Sequence, residues 1–253
     1  MSGYSFPANS PEQPLISIPR TRLMNRQSKF WYLKHFNIFE GMDEASMEKV
    51  NQMSSMSSVR SQQPLYFPDE PTQAIFFLKE GHVKISRLAE DGKEMILDVL
   101  GPGEIFGELS FSGSGETSGE LAQALDDAVI CTMKKEDFES LLKMKPELNF
   151  EVTKRIGLRL RRFQERISEM VFKDVRKRIA AFLVRYAEEF GKIKGGVVTI
   201  KMHLSHQEIA LLVGAARQTV TTTLNEFRSK GLIDFSRQGF VIKHLPELQK
   251  LSQ

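Results

Sequence analysis

Val152, Ile156, Leu160, Phe163, Ile167 and Met170 recur at intervals of 4, 4, 3, 4 and 3, in a stretch that Pro146 opens and no later proline interrupts. The spacing averages about 3.5 residues, which keeps apolar side chains on one stripe of a long helix. The opposite face carries Arg155, Arg159, Arg162, Arg166 and Glu169. Such a stripe must be covered. A second copy of the chain, meeting it along Val152, Ile156, Leu160, Phe163, Ile167 and Met170, suits the pattern best. A helix lying on its own domain also satisfies the periodicity, because spacing names no partner.

The helix separates two regions of different pattern. Residues 1–28 are rich in Ser, Pro, Asn and Gln and read as a flexible tail. Phe30, Leu33, Phe36, Phe39, Met47 and Val50 then predict short helices up to Met56, with Asp43 or Ser46 as a cap. From Pro64 to Met133 the reading is short strands between turns. Ala74-Ile-Phe-Phe-Leu78, His82-Val-Lys-Ile-Ser86, Glu94-Met-Ile-Leu-Asp-Val-Leu100 and Ala128-Val-Ile-Cys-Thr-Met133 are broken by Pro68-Asp69, Gly81, Asp91-Gly92, Gly101-Pro-Gly103 and Ser112-Gly-Ser-Gly115. That spacing predicts an antiparallel barrel or sandwich. Residues 134–142 read as a further helix.

Beyond the long helix, Asp174 caps a helix carrying Val175, Ile179, Phe182, Leu183 and Tyr186 that stops at Gly191. A turn over residues 192–196 leads to the strand Val197-Val-Thr-Ile200. Ser205 then caps a short helix with Ile209, Leu212 and Val213 inward. Gly214 breaks it, and a second helix from near Ala216 carries Val220, Leu224 and Phe227 to Gly231. Two short helices around a glycine turn form a helix-turn-helix. Leu232-Ile-Asp-Phe235 and Gly239-Phe-Val-Ile242 add a two-stranded wing with Arg237 at its tip. Arg217, Gln218, Thr219, Thr221, Thr222 and Asn225 lie away from the apolar face of the second helix. Arg217 suits guanine O6 and N7, Gln218 adenine or cytosine, and Thr222 a thymine methyl or a phosphate. Ser205, His206 and Gln207 open the first helix and complete the candidate DNA-binding set with Arg237. A small helical bundle with no nucleic acid needs no such surface.

Charge agrees with this. Residues 171–253 hold 14 Lys and Arg against 7 Asp and Glu, while residues 1–170 hold 21 against 25. A positive field over the C-terminal third is what phosphate neutralisation requires. Cys131 is the single cysteine, which excludes an internal disulfide and any metal site or cluster built from several thiolates. It reads as a small apolar strand residue. No apolar run of membrane-spanning length and no signal-peptide pattern appears, so the expected location is the cytoplasm.

Three quoted runs, in order, carry a resemblance: Gly101-Pro-Gly-Glu-Ile-Phe-Gly-Glu-Leu109, Phe172-Lys-Asp-Val-Arg-Lys-Arg-Ile179, and Leu204-Ser-His-Gln-Glu-Ile-Ala210 with Arg217-Gln-Thr-Val220. Over roughly residues 30–245 the chain resembles the catabolite-activator and fumarate-nitrate-regulator (CRP/FNR) family of bacterial transcription factors. The resemblance implies an α+β fold: an N-terminal antiparallel, jelly-roll-like β-roll over residues 29–145, a dimerisation helix over 146–171 and a winged helix-turn-helix over 172–253. It also implies an effector pocket at Phe106, Gly107, Glu108, Leu109, Ser118, Gly119 and Phe163. In members that bind cyclic AMP, Glu108's counterpart meets the ribose, an Arg-Ser pair meets the cyclic phosphate, and a hydroxyl residue meets adenine. Here those places hold Ser118-Gly119 and Phe163, with Glu116 and Glu120 nearby, so the pocket is expected to meet a phosphate with carboxylates and cyclic AMP is not the expected effector.

The iron-sulfur sensors' N-terminal cysteine cluster is absent, and His35, His82 and Cys131 show no spacing that marks haem ligands. The implied partners are double-stranded DNA at a near-palindromic site, a second copy of the chain, RNA polymerase if the protein activates, and a small-molecule effector. Two other classes remain in view: a β-roll module with a different output, and an enzyme, for which no nucleophile and base are placed.

Overall fold

The computed structural model describes residues 26–34, 36–68, 72–109, 119–236 and 239–253. Most of the stretch read as a tail, together with His35, Asp69, the Ser112 to Gly115 run, Glu116, Ser118 and Arg237, lies outside these residues. The described chain opens on α1 (Arg26–Lys34), so its first residues are helical where the sequence reads as tail. A single 3-10 turn (Asn37–Phe39) and α2 (Glu44–Met53) follow, α2 capped by the Asp43 carboxylate accepting from the Ser46 N–H.

Among the described residues eight strands come next: β1 (Ser54–Val59), β2 (Pro64–Tyr66), β3 (Ala74–Glu80), β4 (Val83–Leu88), β5 (Glu94–Leu100), β6 (Ile105–Gly107), β7 (Glu120–Ala124) and β8 (Ala128–Lys134). They pair antiparallel in two sheets, ordered β1-β8-β3-β6 and β2-β7-β4-β5. The helical reading extended to Met56, but β1 begins at Ser54. Its Ser-rich sequence gives little strand signal and is held by full-length pairing with β8. Between the sheets lie Tyr66, Phe76, Leu78, Val83, Leu100, Phe106 and Ile130. On the other face of the first sheet, Ile75, Phe77, Ile105, Cys131 and Met133 pack against α1, α2 and α3 (Lys135–Met144). Residues 74–78 are apolar without alternation because both faces of β3 are covered. Cys131 is fully buried there, and burial pushes its thiol up to about 11.

Helix α4 (Pro146–Phe172) runs along the open edges of both sheets. Helix α5 (Val175–Phe190) follows, with the Asp174 carboxylate accepting from the Lys177 N–H. A third sheet, β11-β12-β10-β9, joins β9 (Gly191–Lys194), β10 (Val197–Ile200), β11 (Ile233–Ser236) and β12 (Gly239–Ile242). Residues 192–196, read as a turn, are thus mostly a strand and its hairpin, because β9 completes the antiparallel pairing of β10. Helices α6 (His206–Val213), α7 (Arg217–Ser229) and α8 (Leu245–Leu251) pack around Ile179, Phe182, Leu183, Val220, Leu224 and Phe227. Among the described residues no helix is long and apolar enough to cross a membrane.

Candidate nucleic-acid interface and effector pocket

Local chemistry sets the geometry of α6 and α7. The Ser205 backbone N–H and hydroxyl both donate to Glu208 Oε2 at 2.8 Å, and the Glu208 N–H donates back to the hydroxyl at 3.2 Å, closing a capping box. Gly214 ends α6 in the left-handed conformation at φ 63°. Arg178 of α5 grips this turn, donating to the carbonyls of Val213 (2.8 Å) and Gly214 (2.9 Å) and to that of Lys173 (2.8 Å) at the α4–α5 joint. It lies in the run that ends at Ile179, but its spacing alone gives it no role.

On α7, Val220, Thr223, Leu224 and Phe227 are buried, while Arg217, Gln218, Thr219, Thr222 and Asn225 are exposed. The Thr221 and Thr222 hydroxyls donate to the carbonyls of Arg217 (3.0 Å) and Gln218 (3.1 Å), four residues back. His206 Nδ1 sits 2.9 Å from Thr221 Oγ1, within hydrogen-bond distance, so the first helix is tied to the second at this point. Burial, followed by Arg217 and His203, holds the His206 imidazole below its usual value, so its neutral form is favoured. Gln207 is exposed beside it. The Ser205 hydroxyl is engaged in the cap. Arg228 pairs with Asp234 and Arg176 with Glu226, whereas Arg217 faces no carboxylate partner among the described residues.

The second candidate site is a cavity of about 480 Å³ between the strands and α4. Phe106, Gly107 and Phe163 line it. Tyr66, Ile85, Met95, Leu97, Ile156 and Leu160 supply the rest of its apolar wall. Gly107 has φ 100°, and a Cβ there would stand 2.3 Å from the Ala74 carbonyl, so only glycine fits this close approach. Leu109 packs instead against the α1–α3 cluster. Glu108 is tied through its N–H to the Ala74 carbonyl at 3.2 Å and lies outside the cavity wall. Gly119 lies next to Arg87; a Cβ on it would be 3.7 Å from Nε.

Among the described residues the wall is not one of carboxylates alone: Glu120 and Asp98 reach it, but so do Arg87, Arg159, Arg162 and Arg166. Three of these arginines belong to the face of α4 read as lying opposite the stripe. That face packs on its own chain: Arg155 donates to the Gly103 carbonyl (2.6 Å), Arg159 to that of Ile105 (3.0 Å), and Arg166 to those of Ile96 (2.9 Å) and Leu97. Edge strands β5 and β6 thereby find donors for carbonyls that no further strand reaches. The other face is open. Ile156, Leu160, Phe163, Ile167 and Met170 are 41–55% exposed. Val152 is the exception, 4% exposed within the α1–α3 cluster of its own chain, and is removed from the seam because its side chain is already spent on that core.

Two family profiles match the two halves: "Cyclic nucleotide-binding domain" over residues 56–145 and "Crp-like helix-turn-helix domain" over residues 177–251. The chain belongs to the CRP/FNR family. Among its relatives is the CRP-like cAMP-activated global transcriptional regulator of Mycobacterium tuberculosis, 28% identical over 86% of this chain and 97% of that protein. The global nitrogen regulator of a Nostoc species is 28% identical over 83% of this chain and 92% of its own length. A solved structure of a CooA variant from Carboxydothermus hydrogenoformans superposes with a TM-score of 0.69 at 27% identity, over 88% of this chain and 95% of that one. As a CRP/FNR member with this fold, the protein is a helix-turn-helix transcription regulator. Both of these relatives are global regulators, the first of them transcriptional.

Proposed function

We propose that the protein works as a homodimer that seats two α7 helices in successive major grooves of a near-palindromic site and answers to an anionic small molecule in the cavity against α4. The observation that carries the dimer is the division of α4: its arginine face is occupied by its own strands, and the apolar stripe from Ile156 to Met170 is left open. On α7, Arg217 reads guanine, Gln218 adenine or cytosine, and Thr222, its hydroxyl turned back on the helix, offers its methyl to thymine. Gln207, His206 and Thr219 flank the phosphate backbone. Ser205 contributes by fixing the start of α6. Residues 29–145 act as the sensor, 146–171 as the dimerisation helix and 172–253 as the DNA-binding domain.

The cavity's size and its four arginines around an apolar wall suit a small organic anion. Cyclic AMP is not that anion, since Ser118-Gly119 and Phe163 replace the residues that hold its phosphate and base in the family. Selection of bound sequences from random DNA, with and without a metabolite extract, tests the reading as a whole. Recovery of a two-fold symmetric site supports it, and recovery of no preferred sequence under either condition overturns it. Calorimetry with micromolar cyclic AMP is expected to give no saturable heat; a clear isotherm would overturn that exclusion.

A further inference from the structure

His206 stands where the two helices of the helix-turn-helix and the wing meet. Its Nδ1 is 2.9 Å from Thr221 Oγ1 on α7, and its ring lies edge-on to Phe235 of β11, with centroids 5.5 Å apart. A hydrogen bond at one corner and an aromatic neighbour at its side leave the ring little freedom to turn. Nε2, the other ring nitrogen, has no partner among the described residues and stays open to solvent.

The described charges that act on this ring are cationic. Burial first, then Arg217 at the start of α7 and His203 ahead of α6, hold the free imidazole below its ordinary value. The acids of the neighbouring elements are spent elsewhere. On α6, Glu208 closes the Ser205 cap and stands 3.9 Å from Lys84 of β4; this helix is seated on the first half of the chain, with Ile209 and Leu212 in one core with Ile96 and Val99 of β5. On β11, Asp234 holds Arg228 at 3.0 Å, and on α7, Glu226 holds Arg176 at 2.7 Å.

A phosphate reverses this balance, because an anion beside the ring favours its charged form. The bonds then sort without conflict. A doubly protonated ring donates from Nδ1 to Thr221 Oγ1, leaving that hydroxyl's own proton for the Arg217 carbonyl at 3.0 Å, and donates from Nε2 to the phosphate.

We propose that His206 makes DNA binding proton-linked: seating a phosphate against its ring draws one proton from solvent onto the imidazole of each chain, so that affinity for DNA rises as pH falls. The proposal rests on the reading of α6 and α7 as the surface that meets DNA. A group whose value is lower in the free protein than in the complex takes up a proton on binding. Affinity therefore climbs as pH falls from the complex's value to the free one, and levels below it. A phosphate contact carries no sequence information, so the effect is shared by target and random DNA, and each added cation steepens the salt dependence.

Fluorescence anisotropy of the full-length protein reads this linkage on a duplex recovered by sequence selection and on a random duplex of equal length. At constant ionic strength the wild-type Kd is expected to fall roughly tenfold from about pH 8 to about pH 6 on both duplexes. The salt slope is expected to be steeper at the lower pH by about 0.9 for each imidazole. His206→Gln is expected to bind weakly and to lose most of the pH slope. His206→Arg, a permanent cation, is expected to bind at the higher pH as tightly as the wild type does at the lower, and His203→Gln to keep the wild-type slope. Burial pushes Glu189 up to about 7 and Lys79 down to about 7, so both titrate over the same range. Glu189 pairs with Arg162 of α4 and Lys79 donates to the Tyr32 carbonyl of α1, so their contribution is common to all four proteins.

Equal pH slopes in wild type and His206→Gln overturn the proposal, as does a slope that His203→Gln abolishes. A wild type that binds its preferred duplex equally at both pH values overturns proton uptake alone and leaves the DNA reading standing. Absence of binding to either duplex at any pH overturns that reading and the proposal with it.

Discussion

Arg217, Gln218, Thr219 and Thr222 stand within six positions of one helix, while the cavity wall draws on side chains from Tyr66 to Arg166. The first arrangement needs only a helix of the right register and a turn at its start. The second exists only when two sheets have closed and α4 has been laid along their edges. A contiguous surface keeps its meaning when read as sequence. A pocket assembled from distant segments does not, because no spacing rule links Arg87 to Arg159.

The most damaging way to test this contrast is to remove what α7 stands on. Phe227→Ala, at a fully buried site, is expected to cost about 3–5 kcal/mol of stability in the C-terminal domain. Thermal unfolding checks it, and a shift of under about 1 kcal/mol would make the reading surface independent of its core. Next in size is the seam. Ile156→Glu with Leu160→Glu is expected to give monomers by light scattering and to weaken operator binding about a hundredfold through lost bivalency; an unchanged dimer mass would remove the stripe from the interface.

Arg217→Ala is expected to reduce discrimination at one base pair by about 1–3 kcal/mol, with a smaller loss on random DNA. Equal losses on both would make Arg217 a phosphate contact. The smallest effect separates a cap from a contact. Ser205→Ala is expected to cost about 1 kcal/mol of stability and leave the salt dependence of DNA binding unchanged. A slope reduced by about one would mean that the hydroxyl meets a phosphate after all.

Elements with a strong local signal were legible. The long helix follows from Pro146 and the stripe, α5 from Asp174, α6 from Ser205 and Gly214, and the wing strands from their apolar residues. Strand β1 was not, because Ser-rich chain becomes strand only through its pairing with β8. Strand β9 was hidden behind its lysines and glycines. Val152 shows the limit of periodicity: it falls on the stripe by spacing, yet the stripe's first turn runs into the α1–α3 core.

The sequence by itself determined the two halves, the helix between them and the residues that α7 presents, since each depends on interactions within a few turns of chain. Only the tertiary structure decided which face of α4 stays at home, that Arg87, Arg159, Arg162 and Arg166 converge on one cavity, and that the DNA-binding domain rests on β5. Those outcomes depend on which edge carbonyls and buried carboxylates need a cation, a demand that arises only once the strands have paired and water has been excluded.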